Sequence, residues 1–412
     1  MNKYLIYFDN NGTTRACKDS IVETTKWMSS CSNPSTNNKL SLPSKKLIES
    51  AKKYILSHCN TNHNNYCISF TSCASESNIY IIQSIVLAYK FLNKVKPHII
   101  CSSIEHSSII ECVNNLEYIN EVDITYVNPS VLGIINAIDI KNAIKKNTCL
   151  ILVMGSNNEI GSINPVKEIA AISKKYNIAF HTDYVQLFGK YKIDLSDNLI
   201  GSLSASFHKF YGPLGIGLLI INNKIIQKYN LCREHSDPLR GVKIGTPAVP
   251  LIAGGVSAMK YNFLHREKKN KALLSMRNAF LSEINKYIPI VYYDELPKTH
   301  KDPIIVIFGP HKEYKKLYAP NTILLSIYSK KLIFCNILLK KYLEKNNIIV
   351  SIGSACNTHK THASHVIESL KPNSKIKKGV LRISFGDYNT NNQVTRFIKV
   401  FLNGINKQLT NL

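Results

Sequence analysis

Between residues 67 and 221, short apolar runs recur with segments of helical spacing set among them. That alternation limits the fold more than any other feature of the chain. Cys67–Phe70, Ile99–Ser102, Asp123–Val127, Cys149–Met154, Ile178–His181, Leu199–Ala205 and Leu214–Ile221 read as strands, while Ile79–Phe91 and Pro165–Tyr176 read as helices. Strands alternating with helices predict a mostly parallel sheet covered on both faces. Ligands of such sheets bind beyond the carboxyl ends of the strands. Ser75, His106, Asn158, Asp183 and Lys209 each fall just after a strand, so five loops are expected to converge on one edge.

The stretch Ser206-Phe207-His208-Lys209-Phe210-Tyr211-Gly212-Pro213 lies between two of these strands. A lysine in such a setting can lose its proton by desolvation and attack a carbonyl. The same residues also suit an ordinary turn lysine. Thr71-Ser-Cys-Ala-Ser-Glu-Ser-Asn78 runs from a strand into a helix start. Its backbone N–H groups and the hydroxyls of Ser72, Ser75 and Ser77 suit an anion, and equally a serine-rich cap.

Towards the amino end, Tyr4–Phe8 reads as a strand, Asp9–Thr14 as a turn, Ser20–Ser30 and Leu47–Leu56 as helices, and residues 30–43 as an irregular loop. From about residue 262 the character changes. Leu264–Ile288, Leu332–Asn346, Ala363–Leu370 and Gln393–Leu409 read as helices; 303–308, 322–328, Ile348–Val350 and Gly379–Phe385 read as strands. In the last of these, Leu381, Ile383 and Phe385 share one face and Arg382 and Ser384 the other. The expected organisation is a large α/β domain over 16–262 and a smaller α+β domain made of 1–15 and 263–412.

Of the 412 residues, 44% are hydrophobic, which excludes a disordered chain. The formal net charge of +25 has two readings: a basic surface for nucleic acid, or a composition rich in Lys, Asn, Ile and Tyr with only non-specific polyanion binding. Scattered lysines favour the second. The 11 cysteines include no Cys-x-x-Cys pair, and Cys67, Cys101, Cys149 and Cys335 lie in apolar runs. Neither a signal peptide nor a run of membrane-spanning length is read, so the expected setting is a reducing, intracellular, cytoplasmic one without a membrane.

A lysine able to bond an aldehyde, an aspartate, a histidine and an anion-binding helix start together suit pyridoxal 5'-phosphate. Here the chain resembles the cysteine desulfurases of the class V aminotransferase group, with fold type I. The resemblance rests on Tyr7-Phe-Asp-Asn-Asn-Gly-Thr-Thr14, Thr71–Asn78, Glu105-His106, Asn157-Asn-Glu-Ile-Gly161 and His181-Thr-Asp-Tyr-Val-Gln186. It continues through His208-Lys-Phe-Tyr-Gly-Pro213, Gly245-Thr246, Gly353-Ser-Ala-Cys356 and Arg382-Ile-Ser-Phe385. By that resemblance Lys209 is the Schiff-base lysine, Asp183 pairs with the pyridine nitrogen and His106 stacks on the ring. Asn158 and Gln186 lie near the phenolic oxygen, and Ala74, Ser75, Ser206 and His208 hold the phosphate. Thr246 reaches the phosphate of a second subunit, which implies a homodimer with shared sites. Arg382 clamps the carboxylate of L-cysteine, and Cys356 takes the substrate sulfur as a persulfide while alanine leaves. The Gly-Ser-Ala-Cys form resembles the branch that feeds iron–sulfur assembly and tRNA thiolation, so a persulfide acceptor protein is an implied partner. The alternatives are a lyase for selenocysteine or another β-substituted amino acid, and a nucleic-acid-binding protein on a degenerate scaffold.

The chain also departs from the family pattern. Cys73 stands where glycine is usual, Ser75 where threonine is common, and Leu214 where lysine follows Gly-Pro. Ser32-Asn-Pro-Ser-Thr36 lacks the following histidine, and residues 231–243 lack the usual glycine-rich run. Cys356, His359, His362 and His365 recur at steps of three, a donor set for zinc; metal capture would quench the nucleophile, so no metal is expected.

Overall fold

The computed structural model describes residues 5–231, 245–297, 301–311, 317–353 and 364–410. In chain order the elements are β1 (Ile6–Tyr7), α1 (Lys18–Met28), α2 (Leu42–His58), β2 (Tyr66–Thr71), α3 (Ala74–Asn93), β3 (His98–Ser102), α4 (Ser107–Tyr118), β4 (Asp123–Val127) and α5 (Ala137–Asn142). There follow β5 (Thr148–Leu152), α6 (Val166–Lys175), β6 (Ala179–Asp183), β7 (Ser202–Ser206), β8 (Gly217–Asn222), α7 (Asn223–Tyr229) and the long α8 (Val249–Asn285). The remainder comprises β9 (Ile290–Tyr292), β10 (Ile304–Phe308), β11 (Thr322–Tyr328), α9 (Asn336–Lys345), β12 (Ile348–Ile349), α10 (His365–Ser369), α11 (Ser374–Lys378), β13 (Val380–Ser384) and α12 (Asn391–Thr410).

Among the described residues, seven strands form the main sheet in the order β2-β8-β7-β6-β5-β3-β4. Its pairs are parallel except those made by β8, which runs against both β2 and β7. The near-continuous apolar runs are explained by cover on both faces. Ile100, Ile151, Phe180, Leu203 and Leu218 point into a core shared with α2 and α6. Ile99, Cys101, Leu150, Leu152 and Leu219 point into another shared with α3 and α4. The expected doubly covered sheet is therefore present, and the carboxyl ends of β2, β3, β5, β6 and β7 meet at one edge.

A second sheet, β13-β11-β10-β9, and the parallel pair β1–β12 pack with α9, α12 and the end of α8 around Phe280, Phe385, Phe397 and Phe401. Phe8 enters this core from the amino end and meets the rings of Phe385 and Phe397 edge-on. On β13, Leu381 and Ile383 face this core, whereas Arg382 faces the edge of the main sheet.

Several boundaries differ from the sequence reading. The helix expected over 264–288 begins at Val249 and runs unbroken through residue 262. Gly254-Gly255 suggests a break in sequence, but Gly254 is where α8 crosses α1. A Cβ there would lie 2.8 Å from the Ser20 carbonyl oxygen, so the glycine permits close packing without ending the helix. The sequence reading placed no helix at α4; its Ser-Ser start and Ile-Ile pair mask the amphipathic face that buries Ile109, Cys112, Val113 and Leu116. The strand read over 214–221 starts only at Gly217, and Leu214 lies exposed in the preceding turn.

Gly217 sits between Thr71 and Ser206 in the sheet, at the edge where the loops converge. A Cβ on it would lie 2.6 Å from Thr71 Oγ1 and 2.7 Å from Cys73 Cα. Overpacking of this kind costs about 1–3 kcal/mol. Gly217→Ala is therefore expected to lower the urea midpoint and to displace the 72–75 loop. An unchanged midpoint would show that the loop yields freely.

Candidate active site

The loop after β2 passes straight into α3, whose first turn has Cys73 at its cap with no capping side-chain hydrogen bond. The Glu76 carboxylate accepts from Ser72 N and Ser72 Oγ at 2.5 and 2.6 Å. That contact steadies the loop, while the N–H groups at Ala74 and Ser75 begin a twenty-residue helix and favour an anion.

Asp183 ends β6 and is buried. Its Oδ1 accepts from Val185 N at 3.0 Å and its Oδ2 from Asn78 Nδ2 at 2.9 Å. His106 caps α4, and its Nδ1 accepts from Ser108 N at 3.2 Å. The ring proton is then left on Nε2. Beside it Glu105 is wholly buried and accepts from Met154 N at 2.7 Å. Burial first, and then the Asp183 charge, push its carboxyl up to about 8.

Lys209 Nζ donates to the carbonyls of Asn11 and Gly12, at 2.8 and 2.5 Å. His208 Nδ1 meets Thr13 Oγ1 at 2.9 Å. Burial, followed by the Lys209 and Lys190 charges, pulls the His208 imidazole down to about 4. Gln186 donates to the Asn11 carbonyl at 3.3 Å and accepts from Lys190 Nζ at 3.2 Å.

Arg382 reaches the same place from β13. Its Nη2 pairs with Asp9 Oδ1 at 2.5 Å and its Nη1 donates to the Asn158 carbonyl at 3.1 Å. Its buried Nε has no hydrogen-bond partner among the described residues. Arg382 also lines the cavity, and a guanidinium there suits a carboxylate.

Ala74, Ser75, His106, Asn158, Asp183, Gln186, Ser206, His208, Lys209 and Arg382 line one cavity of about 290 Å³. Thr246 is exposed and does not line it. Cys356, His359 and His362 lie outside the described residues. His365 Nε2 donates to the Glu105 carbonyl at 2.7 Å. The sequence reading assigned no role to Asn11, Gly12, Met154 or Val185, which also line the cavity. Asn11 and Gly12 act through carbonyls, for which a sequence carries no side-chain signal; the Asp-Asn-Asn-Gly turn cluster was the available hint.

The aminotransferase class-V family profile matches residues 6–397. The chain is 32% identical over 396 residues to the cysteine desulfurase IscS of Methanosarcina thermophila, covering 96% of this chain and 90% of that protein. A solved NifS-like protein superimposes with a TM-score of 0.79 at 25% identity, covering 98% of this chain and 99% of that one. SspA, solved in complex with cysteine, superimposes with a TM-score of 0.74 at 28% identity, covering 93% of this chain and 100% of that one.

Glu105 and His181 give opposite pH slopes. Burial pulls His181 down to about 3, so its contribution to stability is lost as pH falls below about 6.5 towards 3. The Glu105 carboxyl is raised, so the folded state loses stability as pH climbs from about 4.5 through 8. Glu105→Gln removes the second slope. Urea unfolding is expected to show the variant more stable than wild type by up to about 4 kcal/mol at pH 8 and by no more than about 1 kcal/mol at pH 5.

Proposed function

The chain belongs to the aminotransferase class-V family as one of its cysteine desulfurases, and on that premise we propose that it converts free L-cysteine to L-alanine and takes the sulfur onto Cys356 as a persulfide. The observation that carries this reading is the convergence of Lys209, Asp183, His106, the α3 amino end and Arg382 on one cavity.

The residues present fit pyridoxal 5'-phosphate. An uncapped helix start supplies donors for a phosphate, a buried carboxylate suits a cationic ring nitrogen, and an amine lines the same cavity. When bound, the cofactor supplies an aldehyde for amines and a ring that delocalises the electrons left by a lost α-proton. Lys209 would hold it, and Asp183 would pair with its ring nitrogen. His106 would cover one ring face. Ala74, Ser75, Ser206 and His208 would take the phosphate, and Asn158 and Gln186 the phenolic oxygen.

Arg382 orients the substrate through its carboxylate, using the donors that Asp9 and Asn158 leave unused. Lys209 Nζ accepts the α-proton. The Cys356 thiolate attacks the substrate sulfur, the Cβ–Sγ bond breaks with its electron pair left on Cβ, Cβ is protonated, and Lys209 Nζ returns a proton to Cα to give alanine. Thr246, exposed and outside its own cavity, would complete the phosphate site of a second copy in a homodimer. The persulfide passes to a thiol of a protein serving iron–sulfur assembly or tRNA thiolation.

Loaded wild-type protein incubated with L-cysteine is expected to release alanine, with a persulfide mapped to Cys356. Lys209→Ala and Cys356→Ser are expected to release none. Arg382→Lys keeps the charge but loses the planar fork, so its KM for cysteine should rise roughly 10-fold or more, with a smaller change in kcat. Alanine release by Cys356→Ser at the wild-type rate would sink the persulfide route.

A further inference from the structure

Behind the cavity wall, four buried side chains form a directional chain that ends on Asp183. The Ser202 hydroxyl donates to His181 Nδ1, 2.9 Å away. The other ring nitrogen of His181, Nε2, donates to Asn78 Oδ1 at 3.0 Å. The Ser204 hydroxyl donates to the same Asn78 oxygen. Asn78 Nδ2 then donates to Asp183 Oδ2 at 2.9 Å, and to Ser108 Oγ at 3.2 Å. Ser202, His181, Ser204 and Asn78 are all buried and do not line the cavity.

Each link fixes the next. With two hydroxyl or ring N–H donors on its oxygen, the Asn78 amide can turn only its NH2 towards Asp183. With Asn78 on Oδ2 and Val185 N on Oδ1, both carboxylate oxygens are held, and the carboxylate plane is set. The lone pairs not taken by these donors are then available on the cavity side.

We propose that Asn78 is a positioning residue for Asp183, aiming the carboxylate at the cationic ring nitrogen of the bound cofactor, with His181 and Ser204 locking the Asn78 amide in the required sense. This rests on the cofactor reading given above. Burial keeps His181 a neutral imidazole far into acid, so the lock holds throughout the working pH range. The charged or titratable groups nearest this chain are Asp183 itself and Glu105, whose carboxyl is also pushed up by the Asp183 charge. His106 approaches from the α4 cap through Ser108, which both His106 and Asn78 contact.

The test uses two variants of the full chain. Asn78→Leu deletes the donor with similar bulk. Asn78→Asp keeps the shape but puts an acceptor against Asp183, so the pair must share a proton to restore the bond. Three readouts are taken: the equilibrium Kd for pyridoxal 5'-phosphate, the pH midpoint of the visible band of the loaded protein, and kcat against KM for cysteine. Asn78→Leu is expected to bind the cofactor roughly 10- to 100-fold more weakly, and to lower kcat more than it changes KM. Asn78→Asp is expected to bind and turn over near the wild-type level in mild acid and to lose both as pH rises, where wild type shows no such loss. Thermal unfolding of each variant separates these effects from a damaged fold. If both variants keep the wild-type Kd, band midpoint and kcat while only the melting temperature falls, Asn78 is structural and the proposal is overturned. If wild-type protein itself binds no cofactor, the cofactor reading falls first and this proposal falls with it.

Discussion

A single turn, Asp9 to Thr14, holds the site together by gripping cations from both halves of the molecule. Its main-chain carbonyls at Asn11 and Gly12 take the Lys209 ammonium from the edge of the main sheet. Its Asp9 carboxylate takes the Arg382 guanidinium from the second sheet. Asn11 adds side-chain bonds to the Asn158 carbonyl and Thr322 Oγ1, and Thr14 pairs with His208. Buried charges persist only when they are paired and hydrogen-bonded, so the two cations and this turn require one another. Remove the turn and Lys209 loses the Asn11 and Gly12 carbonyls while Arg382 loses the Asp9 carboxylate.

That dependence explains why so much of the site was legible in the sequence. A parallel sheet places strand ends at one edge, so Ser75, His106, Asn158, Asp183 and Lys209 could be brought together from strand order alone. Arg382 was legible because β13 alternates cleanly, with Leu381 and Ile383 facing the other way. What escaped was chemistry carried by the backbone or by contacts between distant elements. The Asn11 and Gly12 carbonyls have no side-chain signature. Asn78 looks in sequence like one more polar residue of a serine-rich helix start, and His181 like part of a strand; only packing α3 against β6 and β7 joins them. The front of α8 was hidden because a glycine pair that allows close helix contact looks, in one dimension, like a helix stop.

The electrostatics of the site follow a consistent rule. His181 behind the wall and His208 in it are held neutral chiefly by burial, whereas the Arg382 guanidinium pairs with Asp9. The cavity therefore presents a lysine, an arginine and a carboxylate beside the neutral His208 ring, which does not compete with the cations for an anionic ligand. Under the proposed function, a zwitterionic amino acid would meet Arg382 at its carboxylate and Lys209 at its other end. That matches the pattern of a pocket built to lose one proton and one sulfur from a small polar substrate.

The pairing of β1 with β12, Ile6 beside Ile348, also fixes an order of events during synthesis. The main sheet from β2 to β8 is complete in sequence before residue 223 and can collapse as it leaves the ribosome. The turn that holds Lys209 can be only partly anchored then: Thr14 meets His208, but β1 waits for a strand made more than three hundred residues later, and Asp9 waits for Arg382. Closing so long a loop is slow and comes late. The Asp9–Arg382 side of the pocket therefore requires residues made well after the main sheet that carries Asp183 and Lys209.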